Sequence, residues 1–176
     1  MIQTQAHIRP AGPADAEAVR AFLAGLSRNA QYQRFFTGLG SVSPSLVREL
    51  VTVTPRQQVM IATLGDEVIG HAMASAARDH AVELGVVVAD AHRGRGIATR
   101  LMRALLEHAV LAGADRLRLD VLCENQLVLD WIRRALPDTV FERDGYALTG
   151  HAPLGPDLLT TVDEVDELVE PEPVAL

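Results

Sequence analysis

The chain of 176 residues contains no lysine and one cysteine, and only 4% of its residues are aromatic. All sixteen basic residues are arginines, which a codon bias toward arginine, alanine, valine and leucine explains. A single cysteine, Cys123, excludes an internal disulfide and fits a reducing compartment. No apolar run approaches the roughly 20 residues of a membrane span, and the first residues do not follow the pattern of a secretory signal. We therefore expect a soluble cytoplasmic protein without a membrane partner.

The charged residues are unevenly distributed. The 23 acids and 16 bases give a net charge of −7, yet residues 1–156 contain as many acids as arginines, and residues 157–176 contain seven acids and no base. Nucleic-acid-binding proteins neutralise phosphates with clustered basic residues, so we expect no nucleic-acid partner. The length and composition predict one globular domain over residues 1–156, followed by an acidic C-terminal tail over 157–176.

Local patterns predict an alternation of helices and strands. Periodic apolar residues and capping signals predict five helices: one around Val19 to Leu26, then 29–36, one from Ser43 to Val51, 96–112 and 126–136. Apolar or alternating runs between turn residues predict strands at 5–9, 58–64, 68–76, 81–89, 116–123, 140–143 and 146–151. The unit of strand 81–89, helix 96–112 and strand 116–123 requires a right-handed crossover and therefore a parallel strand pair.

A glycine-rich and arginine-rich segment joins the strand 81–89 to the long helix. Gly94 and Gly96 permit a tight turn that brings backbone N–H groups together at a helix N-terminus, where anions bind. Arg93 and Arg95 add positive charge at the same place. A plain strand-to-helix turn with exposed arginines is the alternative. The segment is not a Walker loop, because no Gly-Lys-Ser/Thr follows.

The element order and the segment from Glu83 to Arg100 resemble the GNAT superfamily of acyl-CoA-dependent N-acyltransferases. The pyrophosphate loop of that family reads Arg/Gln-x-x-Gly-x-Gly/Ala, and the residues from Arg93 to Ala98 match it. Leu26-Ser27 and the segment from Tyr32 to Phe36 further resemble the catalytic domains of actinobacterial Pat-type protein lysine acetyltransferases. The resemblance implies an α/β (α+β) fold, in which helices flank a mixed, largely antiparallel sheet with a splayed parallel strand pair.

The resemblance also implies a site for acetyl-CoA, the acyl donor. The pantetheine arm would pair with the backbone of one strand, and the pyrophosphate would bind to the loop and to the helix that follows it. The arm would also contact an asparagine after the next strand, a residue that can equally be the N-cap of the following helix. These roles fall on Val86, Val87 and Val88 for the arm, on Arg93, Gly94, Arg95, Gly96, Ile97, Ala98 and Thr99 for the pyrophosphate, and on Asn125.

Acyl transfer to an amine requires a neutral amine, and Glu83 is our candidate for the base that removes its proton. A solvated strand residue is the alternative, but burial beside apolar neighbours would make Glu83 a stronger base. Many family members carry a tyrosine acid at the position of Ile132, so the proton donor to the leaving thiolate stays unassigned. We expect direct attack rather than an acyl-enzyme on Cys123, which has no evident partner and is interpreted as a core residue.

We therefore predict an acetyl-CoA-dependent N-acetyltransferase whose acceptor is a primary amine, either a protein lysine or a small molecule. The alternative is a non-catalytic acyl-CoA-binding sensor or partner-recruiting module, which the missing tyrosine acid favours. The six histidines have no metal-ligand spacing, so we expect no metal. The oligomeric state stays open, a homodimer included.

Overall fold

The computed structural model describes residues 5–155 and 157–158, which form a single seven-stranded sheet with five α-helices. The strands are β1 (His7–Pro10), β2 (Gln57–Leu64), β3 (Glu67–Ala76), β4 (Ala81–Val88), β5 (Arg116–Leu122), β6 (Val140–Asp144) and β7 (Ala147–Pro153). The helices are α1 (Ala16–Gly25), α2 (Arg28–Phe35), α3 (Pro44–Glu49), α4 (Ile97–Leu111) and α5 (Gln126–Ala135). Each strand and helix predicted from the sequence is present, with ends that move by a few residues.

The sheet has the strand order β1-β2-β3-β4-β5-β7-β6. All neighbouring strands are antiparallel except β4 and β5, which are parallel and are connected through α4. The predicted mixed α/β fold, with one parallel pair in a largely antiparallel sheet, is therefore confirmed. The acidic segment 157–176 lies outside the described residues except for Asp157 and Leu158.

Apolar side chains cover the sheet from both faces. One cluster packs α4 and α5 against the sheet and includes Val82 and Val88 of β4. The other packs α1 and the segment around α3 against the opposite face and includes Val87. Because successive strand residues point to opposite faces, even-numbered residues of β4 face α4 and odd-numbered residues face the side of α1 and α2.

Local sequence explains how α4 begins and where it lies. Its N-cap, Gly96, has a left-handed backbone with φ of 67°, and its buried residues recur with helical spacing. Gly70 of β3 allows the close approach of this helix. A Cβ atom at position 70 would lie 3.1 Å from Leu101 Cδ1 and 3.4 Å from Ile97 Cγ2. None of the helices within the described residues is long and apolar enough to cross a bilayer.

Candidate active site

The candidate site lies where β4 and β5 separate. The two strands pair at only three positions, Ala81 with Arg116, Val82 with Leu117 and Glu83 with Arg118. Beyond Glu83, β4 keeps its antiparallel partner β3 but has no pairing with β5. The gap therefore has its vertex at Glu83 and Arg118 and opens toward the loop before α4.

Alternate residues of β4 present their backbone polar groups to this gap. Ala89 N–H donates to Ile69 on the β3 side, so the alternation of an antiparallel ladder also directs the N–H and C=O of Val87 and Gly85 toward β3. Leu84, Val86 and Val88 then face the gap. The three residues expected to bind the arm therefore differ in orientation: Val86 and Val88 direct their backbone polar groups to the gap, whereas those of Val87 point toward His71 of β3. A ligand with amide groups fits the edge formed by Leu84, Val86 and the N–H of Val88, since the Val88 carbonyl accepts from Arg93.

The loop between β4 and α4 contains the predicted anion site. Gly94 and Gly96 have φ values of 69° and 67°, which L-residues with side chains rarely adopt. The hydrogen bond from Arg100 N–H to Gly96 C=O begins the helical pattern, so the N–H groups of Ile97, Ala98 and Thr99 precede it. Because Gly96 has no side chain to cap them, these donors can bind a phosphate at the positive end of the helix dipole.

Arg93 lies at the opening of the gap, where its side chain is anchored by two contacts. Its Nη2 atom is 3.1 Å from Asp90 Oδ1, and its Nε–H donates to the Val88 carbonyl at 3.5 Å. Arg95 is exposed beside it. The loop therefore combines uncapped helix N–H groups with two arginines, and together with the edge of β4 it fits a ligand that carries both a diphosphate and an amide-containing arm.

Three other sequence-predicted positions lie on the β5 side of the gap. Asn125 is the N-cap of α5, with its Oδ1 accepting from Val128 N–H at 3.4 Å, so its capping role is present. Ile132 is only 1% exposed and belongs to the core. Cys123 is partly exposed and joins neither apolar cluster, so its interpretation as a core residue is wrong. The cause is its position just beyond the end of β5.

Glu83 is not buried as expected. Its side chain is 46% exposed, and its Oε1 accepts a hydrogen bond from Arg118 Nη1 at 3.0 Å. The reason is the register: Glu83 is opposite the charged Arg118 at the last paired position of β4 and β5, and the two side chains pair with each other. The pair keeps the carboxylate at the vertex of the gap and accessible to solvent.

A polar row continues from this pair across the sheet. Arg118 Nη2 lies 3.5 Å from Asp120 Oδ2, and Thr149 Oγ1 donates to Asp120 Oδ1 at 2.7 Å. Exposed ion pairs of this kind contribute little to stability. Glu83, Arg118 and His151 also line an open cleft of about 880 Å³.

Arg34 of α2 lies on the same face of β4 as Glu83. A Cβ atom at Gly85 would be 2.5 Å from Arg34 Cζ, so the guanidinium occupies the space that a side chain at position 85 would fill. Its Cζ is 4.9 Å from the centre of the Phe35 ring. Burial lowers the pKa of Arg34 to about 10, partly offset by the negative charge of Glu49.

Sequence reasoning singled out Glu83 but missed its neighbours. Arg118 and Asp120 carried a signal, because both fall at the polar positions of an alternating strand. Arg34 entered the sequence analysis only as part of the segment from Tyr32 to Phe36, because its position against Gly85 depends on tertiary packing. Within residues 5–155 and 157–158, no group of three or more His, Cys, Asp or Glu side chains is arranged to hold a metal ion.

Comparisons with known proteins agree with this geometry. A sequence profile described as "Acetyltransferase (GNAT) family" matches residues 28–136. The GNAT domain of S. lividans PAT is similar in structure, with a TM-score of 0.77 and 24% identity over 85% of this chain and 90% of that one. An acetyltransferase of the GNAT family from Streptococcus pneumoniae has a TM-score of 0.67 and 20% identity, covering 86% of this chain and all 100% of that one.

The PaiA N-acetyltransferase from Thermoplasma acidophilum, determined in complex with coenzyme A, has a TM-score of 0.64 and 14% identity, covering 85% of this chain and 99% of that one. No curated protein matches the sequence significantly. The structural likenesses establish the fold, and the profile spans more than half of the chain. The chain therefore belongs to the acetyltransferase (GNAT) family and is an acyltransferase.

Proposed function

We propose that the protein transfers an acetyl group from acetyl-CoA to a primary amine, with Glu83 as general base. The observation that carries the proposal is the position of Glu83 at the vertex of the gap between β4 and β5, beyond the free edge of β4 and the phosphate-binding loop. An acyl donor that follows this edge from the loop would bring its thioester to the vertex. The solvent-accessible side of Glu83 would then face the acceptor.

Different residues of the site would bind different parts of acetyl-CoA. Arg93, Arg95 and the N–H groups of Ile97, Ala98 and Thr99 would bind the pyrophosphate, and the edge of β4 at Val86 and Val88 would pair with the pantetheine amides. Asn125 would contact the arm from the β5 side through the part of its amide that does not cap α5. The donor supplies the activated acyl carbon, and the chain supplies position and proton transfer.

Glu83 would accept a proton from the acceptor ammonium, directly or through one water. The amine of a lysine has a pKa of about 10.4, so at neutral pH the base is required before the nitrogen can attack. The neutral nitrogen then bonds to the thioester carbonyl carbon, the C–S bond breaks, and the sulfur leaves as a thiolate that takes a proton. Arg118 would hold the carboxylate in its orientation, and no side chain is assigned as the donor of that last proton.

The acceptor is a primary amine, either a protein lysine or a small molecule. The likeness to the GNAT domain of S. lividans PAT supports a Pat-type enzyme, for which the acceptor would be a protein lysine. We also propose a cytoplasmic location on the ground of the single cysteine. Residues 1–156 as the catalytic domain and 157–176 as an acidic appendage remain our proposed division.

The test measures thiol release from acetyl-CoA against lysine-bearing proteins and a panel of small amines. Glu83→Gln is expected to lower kcat/KM by about 100-fold or more, because general-base catalysis contributes roughly 10²–10⁴ in rate. Glu107→Gln is the matched control. Glu107 is also 46% exposed and accepts a hydrogen bond from Arg103 at 2.9 Å, but it lies on α4 away from the gap. This variant should keep the wild-type rate.

Equal rates for Glu83→Gln and Glu107→Gln would remove Glu83 from the mechanism. Calorimetry that detects tight binding of acetyl-CoA, combined with no turnover of any acceptor, would instead favour an acyl-CoA-binding module over the proposed transfer.

A further inference from the structure

Arg34 is a cation without a hydrogen-bonded partner in the described part of the chain. Within the described residues its guanidinium makes no hydrogen bond and no ion pair, and its Nε is enclosed without a partner. Glu49 acts on it only through space, and the Phe35 ring supplies a cation–π contact. A desolvated charge of this kind is costly unless a counter-charge joins it.

The surroundings of Arg34 place it beside the reacting atoms. Gly85 is two residues from Glu83 on the same strand and face, a separation of about 7 Å along β4. The guanidinium rests on Gly85, where even a methyl group would displace it. Arg34 is therefore close to the vertex, on the face of the sheet that carries Glu83.

We propose that Arg34 forms a carboxylate-binding subsite of the active site. A guanidinium binds a carboxylate through two parallel N–H donors, which a neutral or ammonium group cannot replace. A molecule that reaches both Glu83 and Arg34 would need an amine and a carboxylate separated by a few bonds, as in a free amino acid, because Gly85 beneath Arg34 is about 7 Å along β4 from Glu83. A carboxylate at the far end of the acyl chain, as in a dicarboxylic acyl-CoA, has the same chemistry.

This inference rests on the proposed function, so its experiment begins with amines that have no carboxylate. If neither these amines nor the lysine-bearing proteins and other small amines tested above accept an acyl group from any donor, the proposed function fails. If turnover is present, the acceptor arm compares β-alanine with β-alaninamide, and glycine with glycinamide, using acetyl-CoA. The donor arm compares succinyl-CoA with butyryl-CoA, which has a chain of the same length without the carboxylate.

The result is read as the ratio of kcat/KM for the carboxylate member to that for its neutral partner. Because each variant is tested with the same pair, differences in amine basicity cancel. In Arg34→Gln this ratio should fall by about ten- to a hundredfold in one of the two arms, because a hydrogen bond to a charged group contributes about that factor to binding. Arg34→Lys should keep part of the preference for the carboxylate member. Arg28→Gln, an exposed arginine on the same helix, should keep the wild-type ratio.

Gly85→Ala gives a second route that leaves Arg34 in the chain. Gly85 has no positive φ, so alanine fits its backbone, and the new Cβ would displace the guanidinium. This variant should lower the ratio as Arg34→Gln does, with thermal melting as the check on folding. Calorimetric titration of β-alanine into the CoA-saturated protein measures the subsite without turnover, and binding should weaken in both variants.

A ratio in Arg34→Gln and Gly85→Ala equal to that in Arg28→Gln, in both arms, would overturn the subsite. Equal binding of β-alanine to wild type and to both variants would overturn its acceptor form.

Discussion

His71 is an ionisable side chain that the core encloses completely. It is 0% exposed, its Nε2–H donates to the Leu50 carbonyl at 2.8 Å, and its Nδ1 has no partner among the described residues. Burial lowers the pKa of His71 to about 4, the hydrogen bond to Leu50 opposes this change, and the charge of Arg34 adds to it. The side chain is therefore neutral in the folded protein at neutral pH.

This state of His71 predicts a loss of stability in mild acid. In the unfolded chain the imidazole binds a proton below about pH 6.5, whereas in the folded protein it does so only near pH 4. Between these values the unfolded state binds more protons, so the free energy of unfolding should decrease as the pH is lowered from about 6.5 to about 4, by up to roughly 3 kcal/mol. Urea unfolding at pH 4.5, 5.5 and 7.5 measures it.

His71→Gln should flatten that dependence, because the amide retains an N–H donor and does not titrate. His108→Gln, which removes an exposed imidazole on α4, should leave it as in wild type. If the free energy of unfolding of His71→Gln depends on pH as strongly as that of the wild type, other groups cause the effect.

At the scale of elements, the N-terminal end of α4 and the loop before it act as one unit. Gly94 has open space around its missing Cβ, so only its backbone conformation, with φ of 69°, requires glycine. Gly113 ends the same helix with φ of 86° and also has open space around it. Both glycines are therefore required for the same reason, their backbone conformation. They differ only in lying at opposite ends of α4.

Alanine at either glycine should cost about 1 kcal/mol of stability or more, because a left-handed conformation is strained for a residue with a side chain. Only Gly94→Ala should also raise KM for acetyl-CoA, by about tenfold, since it redirects N–H donors that would bind phosphate. Steady-state kinetics and thermal melts of Gly94→Ala and Gly113→Ala separate the two effects. An equal KM in both variants would contradict a donor site at this loop.

The elements were predictable because their signals are local. Helical spacing of Val19, Phe22 and Leu23, and the cap Ser43 before Pro44, need only neighbours a few residues away. The site was predictable only in part. The exposure of Glu83 depends on a partner strand 35 residues later in the chain, and Arg34 meets Gly85 only after α2 packs on β4. Such contacts follow from register and packing, which periodicity does not specify.

At the scale of the whole molecule, the gap divides the sheet into two parts. One comprises β1 to β4 and the other β5, β7 and β6, and the ladder between them has three paired positions. A donor that contacts β4, the start of α4 and Asn125 would connect the two parts. Binding of coenzyme A should therefore stabilise the fold as a unit rather than one local segment.

Coenzyme A at a hundredfold excess over its Kd should add about 2.7 kcal/mol to the free energy of unfolding, a Tm increase of roughly 5–10 °C for a domain of this size. Differential scanning fluorimetry over a range of coenzyme A concentrations measures it. Gly94→Ala should need a higher concentration for the same increase. A Tm that does not change with coenzyme A would contradict donor binding in the gap.

Gly70 supports the proposed phosphate site from the sheet side of α4. It lies on β3 under Ile97, the first residue of α4, and Leu101. A Cβ atom there would crowd the side chains of Leu101 and Ile97, so these side chains or the helix end that carries them would have to shift by a few tenths of an ångström. The short distance between α4 and β3 thus limits which residues position 70 can accept. A residue that contacts no substrate can therefore restrict how the donor site evolves.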